Sequence, residues 1–202
     1  MIGLFFKRLG TICLVGCWAL GCSSSDNGGS SIELVDILPG SGEVSGWEED
    51  PEAQNWIGED NPPGPQVTTC LQTTEGQDCA EDWVDGAISY YPKDGAWLGL
   101  AVEQYKKDPL IVTLIVHELK DQQATDQLFV ALEEHPGKDW TPVDFGAGED
   151  RGKILEVLGA YWWILAAKGN FLVETQTGPT PSIENSESEA KAFAAEVLKK
   201  IP

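Results

Sequence analysis

The sequence predicts an α+β fold in which helices pack on one side of an antiparallel sheet. Two observations support this prediction: apolar runs with strand spacing occur in pairs joined by short turns, and a helical apolar pattern follows each pair. The predicted order is therefore hairpin, helix, hairpin, helix. Of the 202 residues, 42% are hydrophobic, which is enough for one core, and we place a single domain at residues 32–202.

An irregular segment precedes the predicted sheet. Residues 32–38 form a short, mainly apolar start, and the chain up to residue 66 is then rich in glycine, proline and acidic residues. The proline cluster at residues 62–65 is incompatible with a helix or a central strand, so we expect this segment to wrap the surface. Residues 79–91 carry apolar side chains three and four positions apart, which predicts a helix.

The first hairpin and its helix have the clearest signals. Apolar residues alternate over 98–102, a turn occupies residues 106–109, and residues 110–116 return as a second strand. Because that second strand is apolar on both faces and rich in β-branched residues, we place it centrally in the sheet, with cover on each side. A helix is predicted over residues 124–134, where a proline and a glycine follow.

The second hairpin repeats this arrangement. Residues 154–157, 161–167 and 171–175 predict two or three strands, with a turn at residues 168–170. A C-terminal helix closes the domain.

Polar residues mark both ends of that C-terminal helix. Ser186 and Glu189 have the spacing of a capping box, which predicts the start of the helix. Lys199 and Lys200 lie at its end, where the helix dipole favours positive charge.

The first residues have the layout of a secretory signal peptide. Lys7 and Arg8 precede an apolar stretch of about 13 residues, which is shorter than the ~20 residues that span a bilayer. The stretch resembles the lipobox of bacterial lipoproteins, since it twice ends in glycine and cysteine, at Cys17 and at Cys22. We favour Cys22 because cleavage at Cys17 would leave an apolar run of only about eight residues.

This resemblance implies an address and an anchor. Residues 1–21 would be removed as the signal peptide, Cys22 would carry lipid, and residues 22–31 would form a flexible Ser/Gly tether. The residue after Cys22 is Ser23 rather than the aspartate that retains some lipoproteins in the inner membrane. We therefore expect the cell envelope, with the domain anchored to the outer membrane on its periplasmic or surface side.

Charge and cysteine content fit an extracytoplasmic domain. The formal net charge is −20, so the surface repels phosphate backbones and anionic lipid head groups, and nucleic-acid binding is not expected. Membrane attachment must then come from the lipid anchor. After cleavage at Cys22 only Cys70 and Cys79 remain, and we predict that they form a disulfide, because the envelope permits one and no zinc or redox spacing is present.

Several short motifs of the domain resemble a bacterial envelope family known only as a domain of unknown function. They are the run from Leu38 to Trp47, the Asp85-Gly86-Ala87 segment with the tyrosines after it, Tyr105 before a strong strand, the helix containing Asp126, and the Trp162-Trp163 strand. The resemblance implies one domain over most of residues 32–202 and implies no activity.

Few residues have the spacing of a catalytic or metal site. The nucleophile motif G-x-S-x-G is absent. The two histidines, His117 and His135, lack motif partners, and the H-E-x-x-H pattern that begins at His117 fails at Asp121. Acid clusters such as Glu149-Asp150 suit Ca²⁺, although a solvated face explains them better. We therefore predict no catalytic residue, no metal site and no cofactor.

Three residues remain as candidate binding residues. Trp162 and Trp163 are adjacent on a strand and must face opposite sides of the sheet, so one of them can lie outward as a partner hot spot. Asp85 is the polar position of interest. We expect a binding or assembly subunit with a protein partner in the envelope, and not an enzyme. The alternatives are a carrier of a lipid or small hydrophobic ligand, and a carboxylate-based hydrolase.

Overall fold

The computed structural model describes residues 32–50, 66–69, 97–108, 110–134, 139–157, 159, 161–177 and 183–202, with residues 66–69 and 183–185 described for their backbone only. The chain divides into two units, residues 1–31 and Ile32–Pro202, and all described residues belong to the second. The five cysteines, Asp85, and the predicted helix at 79–91 lie outside the described residues. No described helix is both long and apolar enough to cross a membrane.

The described residues contain one antiparallel sheet of eight strands. The strands follow the order β1-β3-β4-β8-β7-β6-β5, and β2 pairs with β3 beside β1. Their bounds are β1 Glu48–Glu49, β2 Gln66–Thr69, β3 Trp97–Lys107, β4 Leu110–Leu119, β5 Thr141–Pro142, β6 Arg151–Val157, β7 Tyr161–Lys168 and β8 Phe171–Thr177.

Three helices accompany the sheet: α1 Leu34–Ile37, α2 Gln122–Glu134 and α3 Ile183–Lys200. The chain forms the β3–β4 hairpin, then α2, then the strands β5 to β8, then α3. This arrangement agrees with the predicted α+β class, and β4 is central between β3 and β8, as predicted. The predicted second hairpin is instead a run of four strands.

The helices cover both faces of the sheet, so the prediction that they lie on one side is wrong. Ala166 packs in the cluster that contains Phe193 of α3, whereas Ala167 packs in the cluster that contains Leu128 of α2. Adjacent residues of a strand point to opposite faces, so α2 and α3 lie on opposite faces. The physical reason is β4, which is apolar on both faces and needs cover on each. We call the two surfaces the α2 face and the α3 face.

The wrapping segment at residues 32–50 belongs to the core of the α3 face. Trp47 is buried, and its ring packs edge-on against Phe193 of α3 at a centroid distance of 5.4 Å. Lys200 Nζ donates to the carbonyl of Leu38 at 2.9 Å and contacts Glu43 Oε2 at 2.8 Å. The last turn of α3 therefore holds the segment against the sheet.

Helix α3 begins at Ile183, one turn before the predicted start. Ser186 is consequently a fully buried residue inside the helix rather than its cap. Glu189 pairs with Lys107 of β3, with Oε2 and Nζ 2.7 Å apart. The capping-box prediction is therefore wrong, whereas the two lysines do lie in the last turn.

Candidate functional site

A row of polar side chains crosses the α2 face where α2 ends. Gln104 of β3, Thr113 of β4 and Gln176 of β8 lie opposite one another in register, and Gln176 lies opposite Trp163 of β7. Gln104 Nε2 donates to Thr113 Oγ1 at 3.0 Å. Because a cross-strand row brings side chains within contact distance, polar side chains of three neighbouring strands lie in one row, which ends beside Trp163.

A buried chain of polar contacts lies next to this row on the same face of the sheet. Gln176 Nε2 donates to Glu174 Oε1 at 2.6 Å, and Glu174 Oε2 lies 3.5 Å from Nε2 of His117. Trp97 Nε1 donates to His117 Nδ1 at 3.3 Å. An indole nitrogen is only a donor, so His117 Nδ1 is the acceptor and Nε2 carries the proton that faces Glu174.

This chain is a structural feature of the core. Trp97, His117 and Glu174 are 2%, 0% and 3% exposed, so solvent and substrate cannot reach the imidazole. His117 is therefore a core histidine. Through Glu174, these buried contacts fix the orientation of the side-chain amide of Gln176.

An aromatic patch continues the row towards the sheet edge, and we define it as Trp140, Tyr161 and Trp163. Thr141 pairs with Ile154, so Trp140 lies at the position opposite Leu155, which pairs with Trp163. The rings of Trp140 and Trp163 are 5.5 Å apart with an interplanar angle of 58°. All three aromatic residues are partly buried, and Leu155 is fully buried.

Both tryptophans of the patch carry an unused donor. The Nε1 atoms of Trp140 and Trp163 are shielded from solvent and have no acceptor among the described residues. A buried donor without a partner costs about 1–3 kcal/mol. Both rings are partly buried and pack against the core cluster of the α2 face that contains Leu128, so the two donors lie within the packed surface.

The two cations of β6 on this face are paired with acids of α2. Lys153 of β6 pairs with Glu133 of α2, and Arg151 pairs with Asp126 at 3.5 Å. Arg151 also lies over the ring of Phe129, 5.8 Å from its centroid. The rim between α2 and β6 therefore presents little uncompensated charge.

The two adjacent tryptophans of β7 lie on opposite faces, as predicted. Trp163 belongs to the patch, whereas Trp162 packs on the α3 face against the cluster of Ile154, Ile164, Ala190 and Ala194. Both are partly buried. Asp85 lies outside the described residues. Of the two predicted binding residues that the structure describes, Trp163 lies beside other candidate binding groups, namely Trp140, Tyr161 and Gln176, and none of these was predicted.

A second buried polar group lies on the α3 face. Burial raises the pKa of Glu103 to about 7, the amide of Gln104 partly opposes this shift, and the charge of Glu49 adds to it. The pKa of Tyr105 is raised by burial first and then by neighbouring carboxylates, including Glu103. Glu103 Oε2, Tyr105 OH and Thr175 Oγ1 have no hydrogen-bond partner among the described residues.

The two buried glutamates cannot form a catalytic carboxylate pair. Glu103 pairs with Leu114, which pairs with Thr175, so Glu103 lies on the face opposite Glu174. Paired-carboxylate hydrolysis needs both groups on the same cleft. These two buried carboxylates therefore do not support the alternative of a carboxylate-based hydrolase.

The described acid clusters stabilise loops. Glu149 accepts from the backbone amides of Phe145 and Ala147, and Asp150 Oδ2 accepts from the amide of Gly169 at 2.8 Å. Within the described part of the chain, no group of three potential ligands could hold a metal ion. The oxygens of Glu149 and Asp150 are thus already committed to the backbone.

A small groove lies between the wrapping segment and α3. It has a volume of about 100 Å³ and is lined by Pro39, Glu43, Val44, Glu196, Lys199 and Lys200. Ligand pockets usually have volumes of about 300–1,000 Å³ and apolar walls. This groove is too small and too polar for the lipid or hydrophobic ligand of the carrier alternative.

Comparison with known proteins assigns no family. No family model and no curated protein matches this sequence. The extracellular domain of PknH from Mycobacterium tuberculosis is similar in structure, with a TM-score of 0.40 and 12% sequence identity over 82% of this chain and 94% of that domain. Similarity at this level carries no information about function.

Proposed function

We propose that the protein is a lipid-anchored lipoprotein of the bacterial cell envelope that acts as a binding or assembly subunit. The sequence supports the anchor through the leader and the cysteine at position 22. The observation that carries the binding role is the aromatic patch, where two partly buried indole rings and a partly buried tyrosine lie together on one face of the sheet.

The composition of the patch favours binding. Tryptophan and tyrosine are enriched among the residues that dominate binding energies, because they bury a large area at low entropic cost. The paired charges of α2 and β6 would form the polar rim around this centre. The buried polar side chains of Trp97, His117 and Glu174 lie out of reach of a substrate. This burial favours a binding role over catalysis.

The tether sets where the partner is found. About nine flexible residues after Cys22 give a typical reach of ~16 Å, so the domain would work close to the membrane surface. The partner is accordingly expected in the envelope, on the same side of the outer membrane as the domain.

Lipidation and partner capture test the two halves of the proposal in the native host. Labelling with a palmitate analogue is expected for the wild-type chain and lost in Cys22→Ala; labelling that persists in Cys22→Ala and is lost in Cys17→Ala would move the anchor to Cys17. Persistent labelling in the double variant would refute the lipid anchor at either position.

Crosslinking in intact cells tests the binding role. We expect one stoichiometric adduct with the wild-type chain, a loss of about tenfold in its yield with Trp163→Ala, and no change with Trp162→Ala, the adjacent residue on the other face. Equal yields from the two variants would refute the assignment of binding to the patch.

A further inference from the structure

We infer that the wrapping segment, residues 32–50, detaches from β3 when the buried carboxyl of Glu103 ionises, so that the domain has an attached form in acid and a detached form that gains population towards neutral pH. The inference goes beyond the proposed function. Its consequence for the tether rests on the proposed lipid anchor, whereas the detachment itself does not.

The wrapping segment covers Glu103. On the α3 face, α1 packs over β3 and β4, whereas α3 packs mainly over β7 and β8. Trp47 packs against Phe193, whose ring lies 4.8 Å from that of Tyr105, and β1 pairs with β3 at Tyr105, two residues from Glu103. Departure of the segment therefore gives Glu103 access to water while the β3–β4 and β4–β8 pairs remain.

The attached form encloses Glu103 without a counter-charge. Glu103 is 2% exposed, its Oε1 accepts from the amide of Gln104 at 3.3 Å, and its Oε2 has no partner among the described residues. Glu49 of β1 is its diagonal neighbour on the same face, which places a second carboxyl group within about 8 Å. A buried charge without a partner is costly, so the attached form holds Glu103 protonated.

The cations on this side of the sheet are paired with other acids. Lys107 Nζ contacts Glu189 Oε2 at 2.7 Å, and Lys200 Nζ contacts Glu43 Oε2 at 2.8 Å. The residues that pair with Glu103 across β4 and β8 carry no charge. No described cation therefore compensates an ionised Glu103.

The neighbouring groups agree in the direction of their effects. Burial raises the pKa of Glu103 to about 7; the amide of Gln104 opposes this shift and the charge of Glu49 adds to it. Burial also raises the pKa of Tyr105, the other titratable group on this part of β3, so that its hydroxyl stays protonated. Glu103 is thus the group of this cluster that titrates near neutral pH.

Ionisation of Glu103 favours the detached form. In the attached form the carboxyl keeps its proton up to about pH 7, whereas in the detached form water reaches it and it releases the proton near its ordinary pKa of 4.5. Between these values, each pH unit multiplies the ratio of detached to attached molecules by up to about tenfold. From pH 5.5 to pH 7.5 this ratio increases by about 20-fold.

The segment can leave without unfolding the sheet. Among the described residues it pairs with the sheet through the two residues of β1, Glu48 and Glu49, and it lies at the start of the domain. Elements of this kind open at a lower free energy than core strands do. In the detached form, residues 32–50 would extend the tether and raise its typical reach from ~16 to ~28 Å.

Hydrogen–deuterium exchange of the full chain in detergent micelles tests the inference, with mass-spectrometric detection at pH 5.5 and pH 7.5 and correction for intrinsic rates. The reporters are peptides within residues 32–50, where the amides of Trp47 and Asp50 donate to the carbonyls of Val44 and Gln104. We expect protection of these peptides to fall about 20-fold from pH 5.5 to pH 7.5, and to be lower than that of β4 and β8 at both pH values.

Two results of this experiment would overturn the inference. Equal protection of the segment and of β4 and β8 would mean that the segment exchanges only when the whole sheet unfolds. Protection that does not change between the two pH values would mean that the segment opens without exposing Glu103.

Three variants connect the detachment to Glu103. Glu103→Gln should abolish the pH dependence of protection in the segment, Glu49→Gln should reduce it by removing the neighbouring charge, and Glu156→Gln, an exposed control, should leave it unchanged. A 20-fold fall that persists in Glu103→Gln would refute the role of Glu103. Near-UV circular dichroism identifies a variant that has lost its fold; Glu49→Gln, at a partly exposed position, keeps the test decisive if Glu103→Gln is such a variant.

The outcomes separate this inference from the proposed function. If protection of the segment does not depend on pH while palmitate labelling and the Trp163-dependent crosslink persist, the detachment is refuted and the lipid-anchored binding subunit stands. If the segment detaches but neither Cys17 nor Cys22 carries lipid, the detachment stands and its effect on the tether is refuted.

Discussion

Glu103 should make the free energy of unfolding decrease as the pH rises. The substitution Glu103→Gln should remove this contribution to the pH dependence. The side chain is 2% exposed on the α3 face, and burial raises its pKa from 4.5 to about 7. Glutamine has the same shape and stays neutral at every pH. The substitution therefore imitates the protonated carboxyl that the folded state prefers.

The size of the effect follows from the difference between the folded and unfolded pKa values. Between pH 4.5 and about pH 7 the folded chain holds a proton on Glu103 that the unfolded chain has released, so the free energy of unfolding decreases through this window. With ~1.36 kcal/mol per pH unit, the loss amounts to about 3 kcal/mol. The stabilising contribution is complete below pH 4.5 and is gone above pH 7.

Urea unfolding at pH 5 and at pH 8, followed by tryptophan fluorescence, measures this dependence. At pH 5 the wild type and Glu103→Gln are expected to differ by less than about 1 kcal/mol, and at pH 8 the variant should be more stable by about 3 kcal/mol. Burial also raises the pKa of Glu118, which acts in the same direction in both proteins and cancels in the comparison.

Glu156→Gln is the matched control, because Glu156 is an exposed glutamate on β6. It should leave the pH dependence of the wild type unchanged. If Glu103→Gln changes the free energy of unfolding by the same amount at pH 5 and pH 8, Glu103 does not titrate in this window and the reasoning from burial is wrong.

Two further predictions concern the core and the cysteines. Glu174→Ala leaves the amide of Gln176 without its acceptor and removes the carboxylate that lies 3.5 Å from His117 Nε2. It should cost about 3 kcal/mol of unfolding free energy, whereas Glu174→Gln, which keeps an acceptor, should cost about 1 kcal/mol. Equal costs in urea titrations would contradict the role of Glu174 as an acceptor. Alkylation of the denatured, unreduced protein should leave Cys70 and Cys79 unmodified in mass spectra, and their modification without a reductant would rule out the disulfide.

The sequence was most informative where a segment is apolar along its whole length. The β4 run could be placed centrally from its composition alone, because a strand that is apolar on both faces must be buried on both. The same property implies cover on two faces, so the prediction of helices on one side conflicted with the prediction for β4. Ala166 and Ala167, on adjacent positions, show how both faces of the sheet are used.

The edges of the sheet could not be predicted in the same way. β1 and β5 have two residues each, which is too short for an alternating pattern to be detected. Their positions depend on pairing with β3 and β6, distant in sequence or across a loop. Trp140 precedes β5, so its place beside Trp163 could not be derived from spacing.

The binding candidates show the same division between local and long-range information. Alternation along β7 correctly separated Trp162 from Trp163, because it needs only two adjacent residues. It could not show which of the two meets a second tryptophan. That contact depends on the β5–β6 and β6–β7 registers, which bring Trp140 and Trp163 to either side of Leu155.

On the α2 face, a series of polar contacts connects the buried His117 to Gln176 beside the aromatic patch. Trp97 bonds to His117, His117 faces Glu174, and Glu174 holds the amide of Gln176. Each partner fixes the orientation of the next, so an acceptor at the patch is held in place before any ligand arrives. Preorganisation of this kind reduces the entropic cost of binding, so under the proposed binding role the fully buried histidine would act without contact with the ligand.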